Sequence, residues 1–316
     1  MIDKTHVIGA IAQLGERLPC TQEVGSSILP GSTKILFIIL KVINNIKEMF
    51  YERALISKKV ALVATMGSLH KGHEALLRRS KEISDITIAS LFINPKQFDS
   101  HKDYARYPTS IDSDLGIFEH NKVDIVFMPD KDEMYNPNFN SVIKINDLNN
   151  QLEGNYRKGH MDGVSTVVMK LFHITNPNIA LFGEKDFQQL KLIQKMVYDF
   201  SMDIKIEPVE TVRDSNGLAL SSRNHLLNKR QRISAQSIRK SLELAIVAFK
   251  KGQVVTNEVC KIVIDYLDKV EEIKLEYVTI RTLDTFKEIK HIKGPFVILI
   301  AAYVGDIRLI DNYVFR

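Results

Sequence analysis

The sequence predicts an α/β fold, in which a parallel sheet has helices on both faces and a smaller C-terminal α+β domain follows. Short apolar runs alternate with helical patterns up to about residue 209, as expected when helices connect parallel strands. Two amphipathic helices and three strand patterns come after that point. The length of 316 residues, 45% of them hydrophobic, suits two cores rather than one.

Five short apolar runs predict the strands of the parallel sheet. Proline stops the second and the third run, because it has no backbone N–H for a strand ladder. Residues with helical spacing, Leu76, Ser80 and Ile83, follow the first run. The predicted strands are Val60–Val63, Ile86–Ile93, Val123–Met128, Ile179–Phe182 and Ile204–Val209.

The C-terminal α+β domain is predicted from two helices and a hairpin. An apolar stripe runs through residues 229–251 and ends at Gly252, and a second helix begins at Thr256. Gly305 and Asp306 have the composition of a hairpin turn between two strands. The predicted strands are Glu276–Ile280, Phe296–Val304 and Ile307–Ile310.

The chain is therefore predicted to have three regions: an extension over residues 1–34, a Rossmann-like domain over 35–209, and a smaller lid domain over 210–316. The extension keeps neither a helical nor a strand period. One interpretation is a disordered arm. Another is that it is not native coding sequence, because the run Ala12–Cys20 resembles the translation of a transfer-RNA gene.

Charge and composition exclude several classes of function. The 43 Lys and Arg against 38 Asp and Glu give a net charge of +5, and the basic residues are scattered, so no nucleic-acid partner is expected. The longest apolar run, Phe296–Val304, is far below the ~20 residues that span a bilayer, so no membrane association is expected. No signal-peptide pattern is visible, and the only cysteines are Cys20 and Cys260. We therefore expect a cytoplasmic protein, with Cys260 a packed thiol.

The first candidate motif, Thr65–His73, lies between the first predicted strand and its helix. Open α/β sheets bind ligands at the carboxyl ends of their strands. Gly67 and Gly72 permit close approach to the backbone, and the helix N-terminus offers free amides. His70 and His73 could donate hydrogen bonds to a polyphosphate, so this motif predicts nucleotide binding.

The second motif, Gly183–Gln189, follows the fourth predicted strand in the same way. Lys185 can neutralise a phosphate and Asp186 can accept a hydrogen bond from a ribose hydroxyl. Gln189 can orient a polar substrate. A charged turn alone is weak evidence, but its position at the end of a strand favours a ligand site.

The third motif, Leu220–Asn224, lies after the change of domain. Ser221, Ser222 and Arg223 offer donors to a triphosphate. The alternative is a helix cap, a role in which Ser and Asn are common.

The fourth motif, Asn94–Phe98, ends the second predicted strand. Gln97 supplies both a donor and an acceptor, which suits a hydroxy acid. The alternative is a loop anchor.

Together these four motifs resemble those of the pantoate–β-alanine ligase (pantothenate synthetase) family of the HxGH nucleotidyltransferase superfamily. The resemblance extends from about residue 36 to the C-terminus and includes Glu153-Gly154, His160 and Gly163–Thr166. Ala64 stands where the family usually has proline, and Lys96 where it usually has methionine. The second departure leaves details of the acid pocket open.

The resemblance implies an ATP-dependent ligase. The pantoate carboxylate would attack the α-phosphate of ATP, giving pantoyl adenylate and pyrophosphate, and the amine of β-alanine would then displace AMP to give pantothenate. Catalysis would rest on positioning and charge stabilisation. The resemblance also implies Mg²⁺ and a homodimer.

Residue roles follow from the same resemblance. The implied catalytic residues are His73, assigned as proton donor, together with His70 and Lys185. Those implied for ATP are Met66, Gly67, Ser68, Leu69, His70, Lys71, Gly72, His73, Gly183, Glu184, Lys185, Asp186, Val212, Leu220, Ser221, Ser222 and Arg223. Those implied for pantoate and β-alanine are Gln97, Gln189 and Asn94, and Asp114 is the candidate ligand for Mg²⁺.

Three other functions stay open on the sequence. Another enzyme of the superfamily could transfer a nucleotide to a phosphorylated acceptor, but its pocket would call for Arg or Lys where Gln97 and Gln189 stand. A tRNA-binding relative of class I synthetases would need an extended basic region. A nucleotide-binding regulator would not need the full set of phosphate donors.

Overall fold

A six-stranded parallel sheet forms the first half of the computed structural model, which describes residues 40–98, 104–105 and 107–316. The strand order is β1-β4-β3-β2-β5-β6, and every neighbouring pair is parallel. The strands are β1 Lys41–Ile43, β2 Val60–Thr65, β3 Ile86–Leu91, β4 Ile125–Phe127, β5 Ile179–Gly183 and β6 Lys205–Val209. The predicted parallel sheet is confirmed, and β1 is an edge strand that the apolar pattern did not reveal.

Helices connect these strands and also form part of the C-terminal region. They are α1 Ile46–Leu55, α2 Lys71–Ile83, α3 Ile111–His120, α4 Lys131–Met134, α5 Asn146–Asn149, α6 Glu153–Tyr156, α7 His160–Thr175, α8 Phe187–Asp199, α9 Lys229–Lys250 and α10 Thr256–Leu267. Three single-turn 3₁₀ helices, Pro95–Gln97, Glu184–Asp186 and Ser222–Leu226, lie in the candidate motifs.

Both faces of the parallel sheet are buried. On β2, Leu62 packs in a core that also contains side chains of α1, α7 and α8, whereas Ala61 and Val63 pack on the opposite face against α2 and α3. This alternation is the period of a strand. It explains why β2 is apolar at every position from Val60 to Val63.

The C-terminal region is a three-stranded antiparallel sheet packed against α9 and α10. Its strands, in spatial order, are β7 Ile273–Thr282, β8 Phe296–Val304 and β9 Ile307–Phe315. Val304 pairs with Ile307 around a tight turn in which Gly305 has a φ of 58°, so the predicted hairpin is confirmed. Cys260 is buried in this second core, which raises the pKa of its thiol to about 11.

The predicted boundary after Val209 falls at the end of β6, the last strand of the parallel sheet in the sequence. Residues 38–316 cluster as one compact unit, so the division into 35–209 and 210–316 stays a prediction. The predicted extension over residues 1–34 lies outside the described residues. Within the described part of the chain, no helix combines the length and apolar character that crossing a membrane requires.

Candidate active site

The first motif forms a tight turn between β2 and α2. Gly67 and Ser68 both adopt the left-handed conformation, with φ values of 86° and 53°. A side chain at position 67 would be strained by this φ, and its Cβ would lie 2.9 Å from Oδ2 of Asp114. The first glycine of the motif is therefore needed for the backbone path.

Asp114, in the first turn of α3, holds this turn in place. Its Oδ2 accepts a hydrogen bond from the backbone N–H of Ser68 at 2.9 Å, and its Oδ1 accepts one from Leu69 at 2.8 Å. The side chain is 2% exposed. The geometry gives Asp114 the task of anchoring the loop, whereas its assignment to Mg²⁺ stays a prediction.

The two motif histidines have the same tautomer. The backbone N–H of Gly72 donates to Nδ1 of His70 at 3.1 Å, and the N–H of His70 donates to Nδ1 of His73 at 3.2 Å. An Nδ1 that accepts carries no proton, so the proton of each neutral ring is on Nε2. The contacts cap α2 and leave each Nε2–H as a donor.

Both histidines are neutral at physiological pH. Burial lowers the pKa of His70 to about 4, with a further contribution from the charge of Lys185. Burial likewise lowers the pKa of His73 to about 3, and the charges of His70 and Lys185 add to this. At pH 7 both residues are therefore hydrogen-bond donors rather than cations.

The turn that carries Lys185 lies beside the histidines because β5 pairs with β2. Two parallel neighbours deliver their carboxyl ends to the same edge of the sheet. Nζ of Lys185 lies 3.7 Å from Oδ1 of Asp186, and both residues line the central cavity. Glu184 instead has its buried carboxylate paired with the Arg316 guanidinium.

Asn94 anchors the turn that carries Gln97. Its Nδ2 donates to Oε1 of Gln97 at 3.1 Å and to the carbonyl oxygen of Gly163 at 3.0 Å. Its Oδ1 accepts from Lys96 N–H and from the Tyr135 hydroxyl. Both amide atoms of Asn94 are engaged and the residue is 1% exposed, so it holds the turn, whereas its contact with substrate stays a prediction.

A second support for the same turn comes from α7. Nδ1 of His160 donates to the carbonyl oxygen of Gln97 at 2.6 Å, and Nη1 of Arg157 donates to Nε2 of His160 at 2.9 Å. This arrangement places the His160 proton on Nδ1, opposite to the two motif histidines. Burial lowers the pKa of His160 to about 3, so its ring is also neutral.

The Ser221–Arg223 segment caps a helix and also lines the cavity, whereas its contact with a triphosphate stays a prediction. Oγ of Ser221 accepts from the N–H of Arg223 at 3.2 Å and so caps the short 3₁₀ helix. Oγ of Ser222 lies 3.5 Å from the Tyr107 hydroxyl. The segment also lines the cavity, beside Val212, whose carbonyl oxygen accepts from the N–H of Leu220.

These segments surround one cavity of about 300 Å³, at the lower end of the usual size of small-molecule sites. The predicted residues that line it are Met66, His70, Gly72, His73, Asn94, Gln97, Gly183, Lys185, Asp186, Gln189, Val212, Leu220, Ser221, Ser222 and Arg223. Those that the lining does not include are Gly67, Ser68, Leu69, Lys71, Asp114 and Glu184. Gly67, Ser68 and Leu69 form the turn after β2, and Asp114 anchors it. Lys71 is exposed on α2.

The cavity has further walls that the motifs did not reveal. Tyr107 and Arg157 contribute from the first region, and Tyr277, Arg308 and Asp311 from β7 and β9. No spacing in the sequence relates the last three to the motifs, because tertiary packing alone brings those strands to the site.

A dedicated metal centre is not apparent in the described part of the chain, where no group of three or more His, Cys, Asp or Glu side chains is placed to hold an ion. The donors that do converge are nitrogen donors, from His70, His73 and Lys185. They suit an anion rather than a cation.

Comparisons with known proteins identify a family that this chain matches. The family model described as pantoate-beta-alanine ligase matches residues 38–314. The pantothenate synthetase of Pseudothermotoga lettingae is 40% identical over 275 residues, covering 87% of this chain and 98% of that protein. The pantothenate synthetase of Caldicellulosiruptor bescii is 40% identical over 277 residues, covering 88% and 98%.

Solved structures with the same family names also superpose on this chain. The pantothenate synthetase from Thermus thermophilus superposes with a TM-score of 0.82 at 34% identity, covering 87% of this chain and 99% of that one. The pantoate-beta-alanine ligase from Francisella tularensis, complexed with beta-gamma ATP and beta-alanine, gives a TM-score of 0.72 at 33% identity, covering 87% and 98%.

Proposed function

The chain belongs to the pantoate–β-alanine ligase family, and we propose that its cavity condenses pantoate with β-alanine through a pantoyl adenylate. The observation that carries this proposal is that three segments predicted to bind phosphate and two glutamines line one cavity. The first segment follows β2, the second follows β5, and the third precedes α9. The glutamines, Gln97 and Gln189, are the neutral groups that a hydroxy acid requires.

In the first step, a carboxylate oxygen of pantoate attacks the α-phosphorus of ATP. The bond between that phosphorus and the bridging oxygen breaks, and pyrophosphate leaves with the electron pair. Negative charge accumulates on the phosphate oxygens in the transition state. The Nε2–H groups of His70 and His73 and the ammonium of Lys185 are donors that can stabilise this charge.

The part that we propose for His73 differs from the proton donor that the resemblance implies. An imidazole with a pKa of about 3 does not carry a second proton at pH 7, so it is not a strong acid there. It serves as a neutral donor with a fixed direction, because its Nδ1 is held by the N–H of His70. Fixed donors need no reorganisation as the charge develops.

In the second step, the amine of β-alanine attacks the acyl carbon of the adenylate, AMP leaves, and the amine gives up a proton. We assign pantoate to Gln97 and Gln189, with Gln97 also close to the incoming amine. Asn94, proposed from the sequence as a substrate contact, is assigned instead to holding Gln97. The segments near Val212 and at Ser221–Arg223 are assigned to the nucleotide.

Mg²⁺, a homodimer and a cytoplasmic location are further proposals that rest on the family. The described residues do not form a cage for Mg²⁺. The ion would therefore enter with ATP, held mainly by phosphate oxygens and water, as this ion usually is.

The proposed function is tested by incubating the protein with ATP, Mg²⁺, pantoate and β-alanine and omitting each in turn. Pyrophosphate release should require pantoate, and pantothenate should require all four. A matched reaction with pantoate replaced by a phosphorylated alcohol tests nucleotide transfer to such an acceptor. AMP formed without pantoate, or nucleotide transfer to the phosphorylated alcohol, would contradict the proposal.

A further inference from the structure

Asn312, in the last strand, is directly bonded to the turn that carries Lys185. Its side-chain Nδ2 donates to the carbonyl oxygen of Glu184 at 2.7 Å and to that of Lys185 at 2.9 Å. The residue is 3% exposed. Two bonds from one buried amide fix the orientation of two successive peptide groups, and hence the direction in which the Lys185 side chain leaves the backbone.

The neighbouring Asp311 is bonded to the other nucleotide segment. Nη1 and Nη2 of Arg213 donate to its two carboxylate oxygens at 2.7 and 2.8 Å. Arg213 follows Val212 directly and also donates to the carbonyl oxygen of Gly217 at 3.1 Å, within the same loop. The carboxylate of Asp311 is buried and the Arg213 side chain is 18% exposed, so the bidentate geometry fixes the orientation of both groups.

The contacts of Asn312 and the pair of Arg213 with Asp311 are joined to each other. Nη2 of Arg213 donates to the carbonyl oxygen of Asn312 at 3.1 Å, and Oδ1 of Asp311 accepts from the N–H of Asn312 at 2.7 Å. Two adjacent residues of β9 therefore hold the Glu184–Asp186 turn and the loop after Val212 in one hydrogen-bonded frame.

We propose that Asp311 and Asn312 are positioning residues for the nucleotide, acting through the Lys185 turn and the Val212 loop. The inference rests on the proposed function only for the identity of the ligand as ATP. Both segments line the cavity, yet they are separated by α8 and β6 along the chain, and their relative placement is set from β9. Loss of the frame should weaken nucleotide binding more than pantoate binding.

The test replaces Asn312 by Leu, which has a similar size but no donor. We expect the Kd for β,γ-methylene-ATP, measured by calorimetry, to rise about tenfold, because two hydrogen bonds of modest net strength are lost. The KM for ATP should rise similarly, whereas the KM for pantoate should change by less than about twofold. Asn312→Gln, which keeps a donor amide, should recover part of the loss.

A second variant keeps the test decisive if Asn312→Leu does not fold. Arg213→Gln removes the pair with Asp311 and should also raise the Kd for the ATP analogue. If the two residues act in one frame, the double variant should be clearly less affected than the product of the single effects. Gln151→Ala is the matched control, since it removes a contact of Arg281 between the same two regions away from the nucleotide segments.

A loss of stability without a change in the Kd for the ATP analogue would overturn the inference, as would an equal effect of Gln151→Ala. The wild-type protein separates the two proposals. If it binds the analogue but makes no pantothenate, the proposed function fails while the positioning inference is still tested by the Kd values. If wild-type protein does not bind the analogue, both fail.

Discussion

Glu153, at the start of α6, and Arg308, in β9, form a buried bidentate salt bridge. Nη1 of Arg308 lies 2.7 Å from Oε2 of Glu153, and Nη2 lies 2.7 Å from Oε1. Their side chains are 7% and 10% exposed. Tyr277 also donates to the Glu153 carboxylate, and Glu276 accepts from the same arginine. The pair therefore ties the region of the parallel sheet to the antiparallel sheet at the wall of the cavity.

Replacing Glu153 by Gln should lower the free energy of unfolding by about 3 kcal/mol, the lower end of the cost of breaking a buried pair, because Glu276 still neutralises Arg308. Burial alone would raise the pKa of Glu153, but the hydrogen bonds and charge of Arg308 bring it below its ordinary value. Urea unfolding measures the loss. The exposed pair of Arg230 and Glu271 supplies the control: Glu271→Gln should change stability by less than about 0.5 kcal/mol. Equal losses in the two variants would contradict the prediction.

Replacing Lys185 by Ala should reduce adenylate formation about 10²–10³-fold, because an aligned donor to the transition state is lost. The measurement is pyrophosphate release with ATP and pantoate, without β-alanine. Lys195→Ala, on the exposed face of α8, is the matched control and should leave the rate unchanged. An undiminished rate in Lys185→Ala would refute the assigned role.

Replacing Gly163 by Ala should destabilise the protein by about 1–3 kcal/mol and raise the KM for pantoate. An added Cβ would lie 2.2 Å from the carbonyl oxygen of Lys96 and 2.7 Å from the nitrogen of Gln97, so the turn carrying Gln97 must move. At Gly116, in α3, an added Cβ meets no described heavy atom within 4 Å. Gly116→Ala should therefore stabilise by about 1 kcal/mol through helix propensity, with no change in KM. Thermal unfolding and steady-state kinetics compare the pair.

Stability should fall as the pH drops from about 6.5 toward 3, because His160 binds a proton in the unfolded chain but not in the fold. Its folded pKa of about 3 lies below the unfolded value of 6.5, so its contribution is complete above 6.5 and is lost through this window. His160→Asn keeps a donor at the position of Nδ1 and removes the titrating group. The slope of unfolding free energy against pH should then decrease by up to about 1.4 kcal/mol per pH unit. His120→Asn, at an exposed site, is the control, and equal slopes for wild type and His160→Asn would argue against the prediction.

Replacing Asp114 by Asn should distinguish a loop anchor from a metal ligand. One of the two backbone amides would face a donor instead of an acceptor, at a cost of about 1–3 kcal/mol. We expect lower stability and a higher KM for ATP at every Mg²⁺ concentration. A shift in the Mg²⁺ concentration for half-maximal rate would instead support the metal role. Asp112→Asn, exposed in the same helical turn, should change neither quantity.

The sequence was most informative where the chemistry is local. The turn after β2 and the one after β5 could be predicted because glycine and charged residues follow buried apolar runs directly. The extent of β9 could not: the predicted strand ended at Ile310, whereas the strand continues to Phe315. Asp311 and Asn312 interrupt the apolar pattern because they are buried polar residues that form hydrogen bonds, and their partners lie 98 and 128 residues away in the sequence. Hydrophobic periodicity contains no signal for such partners.

Lys96 lies in the turn that carries Gln97, with its peptide group and its side chain facing different neighbours. Its carbonyl packs against Gly163, whereas the ammonium of its side chain lies 5.1 Å from the ring centre of Tyr135 and 5.0 Å from that of Phe139, and the residue does not line the cavity. The Lys96 side chain is nevertheless linked to Gln97, because the Tyr135 hydroxyl beneath its ammonium donates to Asn94, which in turn donates to Gln97. An exchange of methionine for lysine at this position therefore replaces no side chain that lines the cavity, and it would act on the Gln97 turn only from behind, through the aromatic ring of Tyr135.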